Sequence, residues 1–191
     1  MNKIRELLKN KKIILLVVIV ILILFALLFI YLRKKNTNNK VPSSTTGISW
    51  NTLVPGKSTK DEVIQKLGTP INEKIDNEKT TSTFQSSSQT RNNEAIFINN
   101  STGFLKEIVT LSDNKTTKGL INQYGQPTST LYGADSYNGY DLYVYPDKGL
   151  AFLGNLETGS LLEIWYFIPT IIDSFISQWA NNYTKELTPK F

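Results

Sequence analysis

Twenty consecutive uncharged residues, Ile13–Leu32 (IILLVVIVILILFALLFIYL), constrain this chain more than any other feature. At about 1.5 Å per residue, such a run spans about 30 Å as a helix, the thickness of a bilayer's hydrocarbon core. A secretory signal has a shorter apolar region followed by a small-x-small cleavage site. Here the run ends in Tyr31 and Leu32, then Arg33-Lys34-Lys35. The expectation is an uncleaved signal anchor that crosses the lipid bilayer through residues 13–32, behind a basic cytoplasmic segment, 1–12. Lys3, Arg5, Lys9, Lys11 and Lys12 precede the span, against four basic residues between 33 and 40. The positive-inside rule therefore favours a single-pass protein of the cell membrane with the bulk of the chain extracytoplasmic.

Charge divides the chain the same way. Residues 1–40 hold nine Lys/Arg and one Glu; residues 41–191 hold twelve Lys/Arg and fifteen Asp/Glu, within a formal net charge of +5. The basicity belongs to the anchor, and the remainder is mildly acidic. A nucleic-acid partner needs a concentrated basic face, so none is expected. The chain has no Cys and no His. That excludes disulfides, thiolate nucleophiles, a lipid-modified Cys, and the commonest general base and zinc ligand. Residues 33–47, rich in Asn, Ser and Thr and without periodicity, read as a polar linker.

The most organised stretch is Pro55–Pro70, PGKSTKDEVIQKLGTP. Ser58 and Asp61 have the spacing of a capping box. Val63, Ile64 and Leu67 share one helical face. Gly68 suits a helix C-terminus and Pro70 prevents continuation. This predicts a helix over 59–67. The grammar recurs 57 residues later in TTKGLINQYGQP, Thr116–Pro127. Thr59/Thr116, Ile64/Ile121, Gly68/Gly125 and Pro70/Pro127 are identical, and Val63/Leu120 and Leu67/Tyr124 keep the apolar stripe.

Each copy is followed by short β-rich runs between Asn, Gly and Pro turns: 79–86, 94–98 and 104–111 after the first, then 129–133 (STLYG), 140–146, 150–154 and 160–168 after the second. Each unit thus reads as a helix and about three strands. A last amphipathic segment, 170–183, places Ile172, Phe175, Ile176, Trp179 and Tyr183 on one face. The expected fold class is α+β. An N-terminal transmembrane helix leads into tandem helix-plus-antiparallel-sheet repeats in two layers, 48–113 and 114–191, the second ending in a C-terminal amphipathic helix.

The stretch Trp50–Pro70 (WNTLVPGKSTKDEVIQKLGTP) resembles the opening of the BamE/SmpA module, a small α+β domain of an outer-membrane assembly lipoprotein. Two such units in tandem resemble the arrangement of the β-lactamase inhibitor protein. The resemblance implies a scaffolding or protein-binding role in the cell envelope, with a protein or envelope component as partner. It departs from the family in two ways: a spanning segment stands where the lipoprotein Cys would be, and the module is doubled. The motif residues Ser58, Asp61, Gly68, Pro70, Gly125 and Pro127 read as structural.

No catalytic constellation emerges, so no enzyme activity, cofactor or metal is expected. Asp61-Glu62 read as a helix start on a solvated face. YGADSYNGYD, 132–141, offers Asp135 and Asp141 as loose calcium ligands, but its turn formers read as a hairpin loop. The aromatic residues are the candidates for binding. By alternation, Tyr143, Tyr145, Trp165 and Phe167 are expected to share one face with Asp141 and Glu163. A charge-bearing parity suggests an open face, and aromatics on an open face would be anchors for a partner. The competing arrangement has the C-terminal helix covering these rings. Two readings from other classes stand beside a binding module: a carboxylate-dependent enzyme acting on the cell wall, and a structural spacer without a ligand. Two acids converging in a cleft would favour the enzyme.

Overall fold

The computed structural model describes residues 47–187. The apolar run 13–32 lies outside the described residues, and among those described no helix is long and apolar enough to cross a membrane.

The first helix, α1 (Lys60–Leu67), starts one residue later than the spacing suggests. Thr59 is its N-cap, accepting from the Glu62 N–H at 3.3 Å, while the Glu62 carboxylate accepts from the Thr59 N–H at 2.8 Å. The capping pair is therefore Thr59/Glu62, not Ser58/Asp61. Ser58 is engaged elsewhere: its Oγ accepts from the Val54 N–H at 3.0 Å, and the side chain is buried. Ser and Thr serve almost equally well as caps, so the tertiary turn at Val54–Ser58 decided between them.

The second helix, α2 (Thr117–Tyr124), repeats the pattern with Thr116 as N-cap, accepting from the Gly119 N–H at 3.0 Å. Both helices end on glycine in nearly the same conformation. Gly68 has φ 89° and ψ −174°; Gly125 has φ 84° and ψ −171°. Each donates its N–H to the equivalent isoleucine carbonyl, Ile64 or Ile121. That region of backbone space is open to glycine and strained for any residue with a Cβ. Gly119 costs α2 about 1 kcal/mol relative to alanine. Burial of Leu120, Ile121 and Tyr124 against the sheet offsets that loss.

Four strands follow each helix, where about three were expected. They are β1 (Asn72–Asp76), β2 (Lys79–Phe84), β3 (Asn93–Ile98) and β4 (Ser101–Ile108), then β5 (Ser129–Leu131), β6 (Asp141–Tyr145), β7 (Leu150–Gly154) and β8 (Leu161–Phe167). They form one antiparallel sheet in the order β1-β2-β3-β4-β8-β7-β6-β5. The β3–β4 hairpin turns on Asn99 and Asn100, both with positive φ, as a two-residue turn of right-handed twist demands. Gly149 closes the β6–β7 turn where an added Cβ would overlap the Phe167 carbonyl oxygen.

The layering differs from the two layers expected. One core lies between the sheet and α1 and α2, and includes Trp50, Val63, Phe84, Phe97, Tyr145 and Phe152. A second lies on the opposite face under α3 (Ile172–Trp179), and includes Phe104, Val144, Trp165, Phe167 and Phe175. Each fully buried aromatic stabilises the fold by about 1.5–3 kcal/mol. The stripe Ile172, Phe175, Ile176, Trp179 and Tyr183 faces this second core. Where α3 lies, the fold has three layers.

Candidate binding surface

The four aromatic candidates are all buried: Tyr143 at 4%, Tyr145 at 1%, Trp165 at 7% and Phe167 at 0% exposure. They also lie on opposite faces. Tyr143 is opposite Phe152, which is opposite Ile164; Trp165 is opposite Ala151, which is opposite Val144. Tyr143 and Tyr145 therefore face α2, and Trp165 and Phe167 face α3. Alternation assigns faces within one strand, but relating two strands requires their register.

Each ring has a packing role. Tyr145 donates its hydroxyl to the Gly125 carbonyl at 2.7 Å, tying the end of α2 to the sheet. Phe167 packs 4.6 Å from Phe175 of α3, and Trp165 lies edge-on to Phe104 and Tyr183. Burial, with Asp141 nearby, pushes the Tyr143 hydroxyl up to about 12. Burial and the Glu163 and Asp135 charges push Tyr183 up to about 12. These rings belong to the cores and present no docking platform.

Glu163 did not mark an open face, because its charge is compensated in place. Its carboxylate accepts from Arg91 Nη1 at 3.0 Å and from Trp165 Nε1 at 2.8 Å. Glu107 is likewise held by Lys115 and by the Tyr166 hydroxyl, the latter at 2.6 Å. Burial and the Glu107 charge raise the Tyr166 hydroxyl far above its ordinary range, so it stays a donor. Glu107 is opposite Ile164 and Glu163 is opposite Ile108 in the same strand pair. The two carboxylates thus sit on opposite faces of the sheet and cannot converge on one substrate. Two surface grooves among the described residues, one near Thr110, Tyr140 and Ser160 and one near Tyr132 and Asn182, have no Asp or Glu in their walls. No described cluster of three or more acids is placed to hold a metal ion.

The sheet surface that no described helix covers is in the first half. One row of opposed residues crosses all eight strands on the α3 face: Asn72, Thr83, Glu94, Lys106, Trp165, Ala151, Val144 and Ser129. Polar and charged residues occupy it from β1 to β4, and buried apolar ones from β8 to β6. The neighbouring row begins Lys74, Thr81 and Ile96 before it reaches Phe104. Thr81, Thr83, Glu94 and Ile96 are half-buried and Lys74 and Lys79 exposed. On the other face of the same strands, Ser82, Phe84, Ala95 and Phe97 are buried. Trp179 borders the open area: it stacks on Phe104 at 5.1 Å, and the Lys79 ammonium lies 5.5 Å from its ring. Sequence reasoning passed over this surface because Thr and Lys carry no chemical signature, although KTTSTF alternates as a half-open strand should.

The residues of the motif Trp50–Pro70 serve packing. Trp50 is buried and stacks parallel to Tyr166 at 6.2 Å; Leu53 is buried, and Pro70 follows the glycine cap. No family model, curated protein or solved structure matches the chain.

Proposed function

We propose that this chain is a membrane-anchored, extracytoplasmic protein-binding module of the cell envelope, with its docking surface on the open face of β1–β3. One observation carries the reading. A single face of one sheet changes from Asn, Thr, Glu and Lys to Trp, Ala and Val at the β4–β8 junction, and α3 covers only the apolar part. The uncovered part mixes Lys74, Lys79 and Lys106 with Asp76 and Glu94 around Ile96, the composition of a polar, non-obligate interface. The two helix-plus-four-strand halves are read as copies of one unit. Their identical caps at Thr59/Thr116 and Gly68/Gly125 and the mirrored strand order support this, as does the BamE-like stretch Trp50–Pro70.

The opposed placement of Glu107 and Glu163 counts against the cell-wall enzyme, which needs two acids in one cleft. The basic flank ahead of residues 13–32 supports the topology. Protease added to spheroplasts is expected to digest residues 41–191; full protection would reverse the orientation.

Site-specific photocrosslinking in native membranes tests the surface. A photoreactive residue at Thr81 or Thr83 is expected to give discrete protein adducts, and one at Thr158, on the β7–β8 turn, is not. Equal labelling from all three positions, or none from Thr81 and Thr83, would place docking elsewhere.

A further inference from the structure

The two edges of the sheet are finished differently. Edge strand β5 has only three residues, and just beyond it Tyr132 exchanges two backbone hydrogen bonds with Thr184, at 2.8 and 2.9 Å, so the C-terminal segment pairs with the chain at the end of that edge. Edge strand β1 has five residues, all exposed, and no described segment pairs with its outer side. Its unpaired N–H and C=O groups are a template for another strand. Ile75 is 73% exposed, an apolar side chain without cover. Lys74 makes no ion pair among the described residues.

We infer that β1 pairs antiparallel with β1 of a second copy of this chain, about a twofold axis through Ile75. A twofold axis perpendicular to the sheet keeps the same face upward in both copies, so opposed residues must have the same parity. That leaves one register for each residue that can lie on the axis. Centring on Glu73, Lys74 or Asp76 sets like charges directly opposite, which is destabilising. Centring on Asn72 runs the ladder into Pro70, which has no N–H to donate. Centring on Ile75 sets Lys74 opposite the partner's Asp76, Asp76 opposite the partner's Lys74, and Ile75 against its own copy. Both ion pairs then lie on the open face, and the isoleucine contact lies on the α1 face, where Glu73 meets Lys60 at 2.7 Å. Charges on an edge strand ordinarily deter indiscriminate pairing. Alternating in sign, as here, they reject an apolar strand and accept the copy.

The ladder is short, which places the contact among weak, transient interfaces. Its consequence is geometric: two eight-stranded sheets become one of sixteen strands, with both open faces adjacent on the same side. The inference rests on the edge of β1 and stands apart from what docks on that face.

The absence of cysteine makes the test direct. Directly opposed strand residues lie within disulfide reach. In the full chain in detergent micelles, Ile75→Cys is expected to give a disulfide-linked dimer on mild oxidation, well above Thr158→Cys. Lys74→Cys mixed with differently tagged Asp76→Cys is expected to give the heterodimer in preference to either homodimer. On the Ile75→Cys background, Lys74→Asp should lower the cross-linking rate about tenfold by replacing two attractive pairs with repulsive ones. Adding Asp76→Lys should restore it. Circular dichroism verifies that each variant is folded. Three results would overturn the proposal: cross-linking at 75 no faster than at 158, insensitivity to the Lys74→Asp and Asp76→Lys exchange, as in a dimer held through residues 13–32, or faster joining of Ile71→Cys to Ile75→Cys, which belongs to the Glu73-centred register.

Discussion

The first four strands and the last four carry opposite chemistry on one face of one sheet. Beneath α1 the two halves are alike: each helix begins on a capping Thr, ends on a glycine of positive φ, and seats Ile and Leu or Tyr on the sheet. On the reverse face they part. From β6 to β8 the residues are Val144, Ala151, Trp165 and Phe167, under α3; from β1 to β3 they are Asn72, Thr83 and Glu94, under no described helix. A strand buried on both faces must be apolar at every position, whereas one buried on a single face alternates. LAFLG in β7 and KTTSTF in β2 are those two patterns. The buried half supplies rigidity, and the open half is free to present a surface.

The largest test of this contrast is truncation. Phe167→Ala, at the contact with Phe175, should cost about 3–5 kcal/mol, whereas Thr81→Ala on the open face should stay within about 0.5 kcal/mol. Both are read as shifts in the denaturant midpoint. Comparable losses would mean that the open face is also a core.

Alkaline titration separates the halves next. No tyrosine lies between residues 47 and 116, while Tyr143 and Tyr183 are raised from 10.0 to about 12. Because the folded value is the higher, the unfolded chain loses its protons first as pH rises. Their contribution is complete below pH 10 and is lost between 10 and about 12. Urea midpoints measured across this window should fall, and Tyr143→Phe with Tyr183→Phe should flatten the fall. An unchanged slope in the double variant would assign the effect to other groups.

Gly68→Val and Gly125→Val sharpen the likeness rather than the contrast. Nothing lies within 4 Å of a Cβ built at either site, so the penalty is backbone strain alone. Each should lose more than about 1 kcal/mol, and by similar amounts. A large loss at one glycine only would show that the two helix ends are held differently. Among the helix-end variants, the smaller losses are expected at the caps. Thr59→Ala and Thr116→Ala should each cost about 1 kcal/mol. Thermal denaturation of the pair tests whether the Glu62 carboxylate, which has no counterpart at Gly119, makes the first cap the costlier to lose.

Legibility followed the range of the forces involved. Both helix ends were readable because a capping Thr, a positive-φ Gly and a following Pro act within a few residues. The cap itself was misplaced by one position because Val54, rather than the helix, claimed Ser58. Strand β1 leaves no mark in the sequence because it lies at an edge and NEKID is exposed at every position, whereas β5 falls within the short run 129–133. Asp141 and Glu163 do not mark an open aromatic face, because Arg91, from a loop 72 residues away in sequence, compensates Glu163.

By itself, the sequence determined an α+β chain with two similar helix starts and stops, turns on Asn and Gly, and an amphipathic last helix, all consequences of backbone preference and local periodicity. Only the tertiary structure decided that the eight strands join through β4 and β8, that Tyr143 and Trp165 face opposite ways, and that α3 covers one half of one face. Register and helix docking arise from side chains far apart in the chain filling one space. Packing of that kind is a property of the assembled layers and leaves no periodic mark in any single segment.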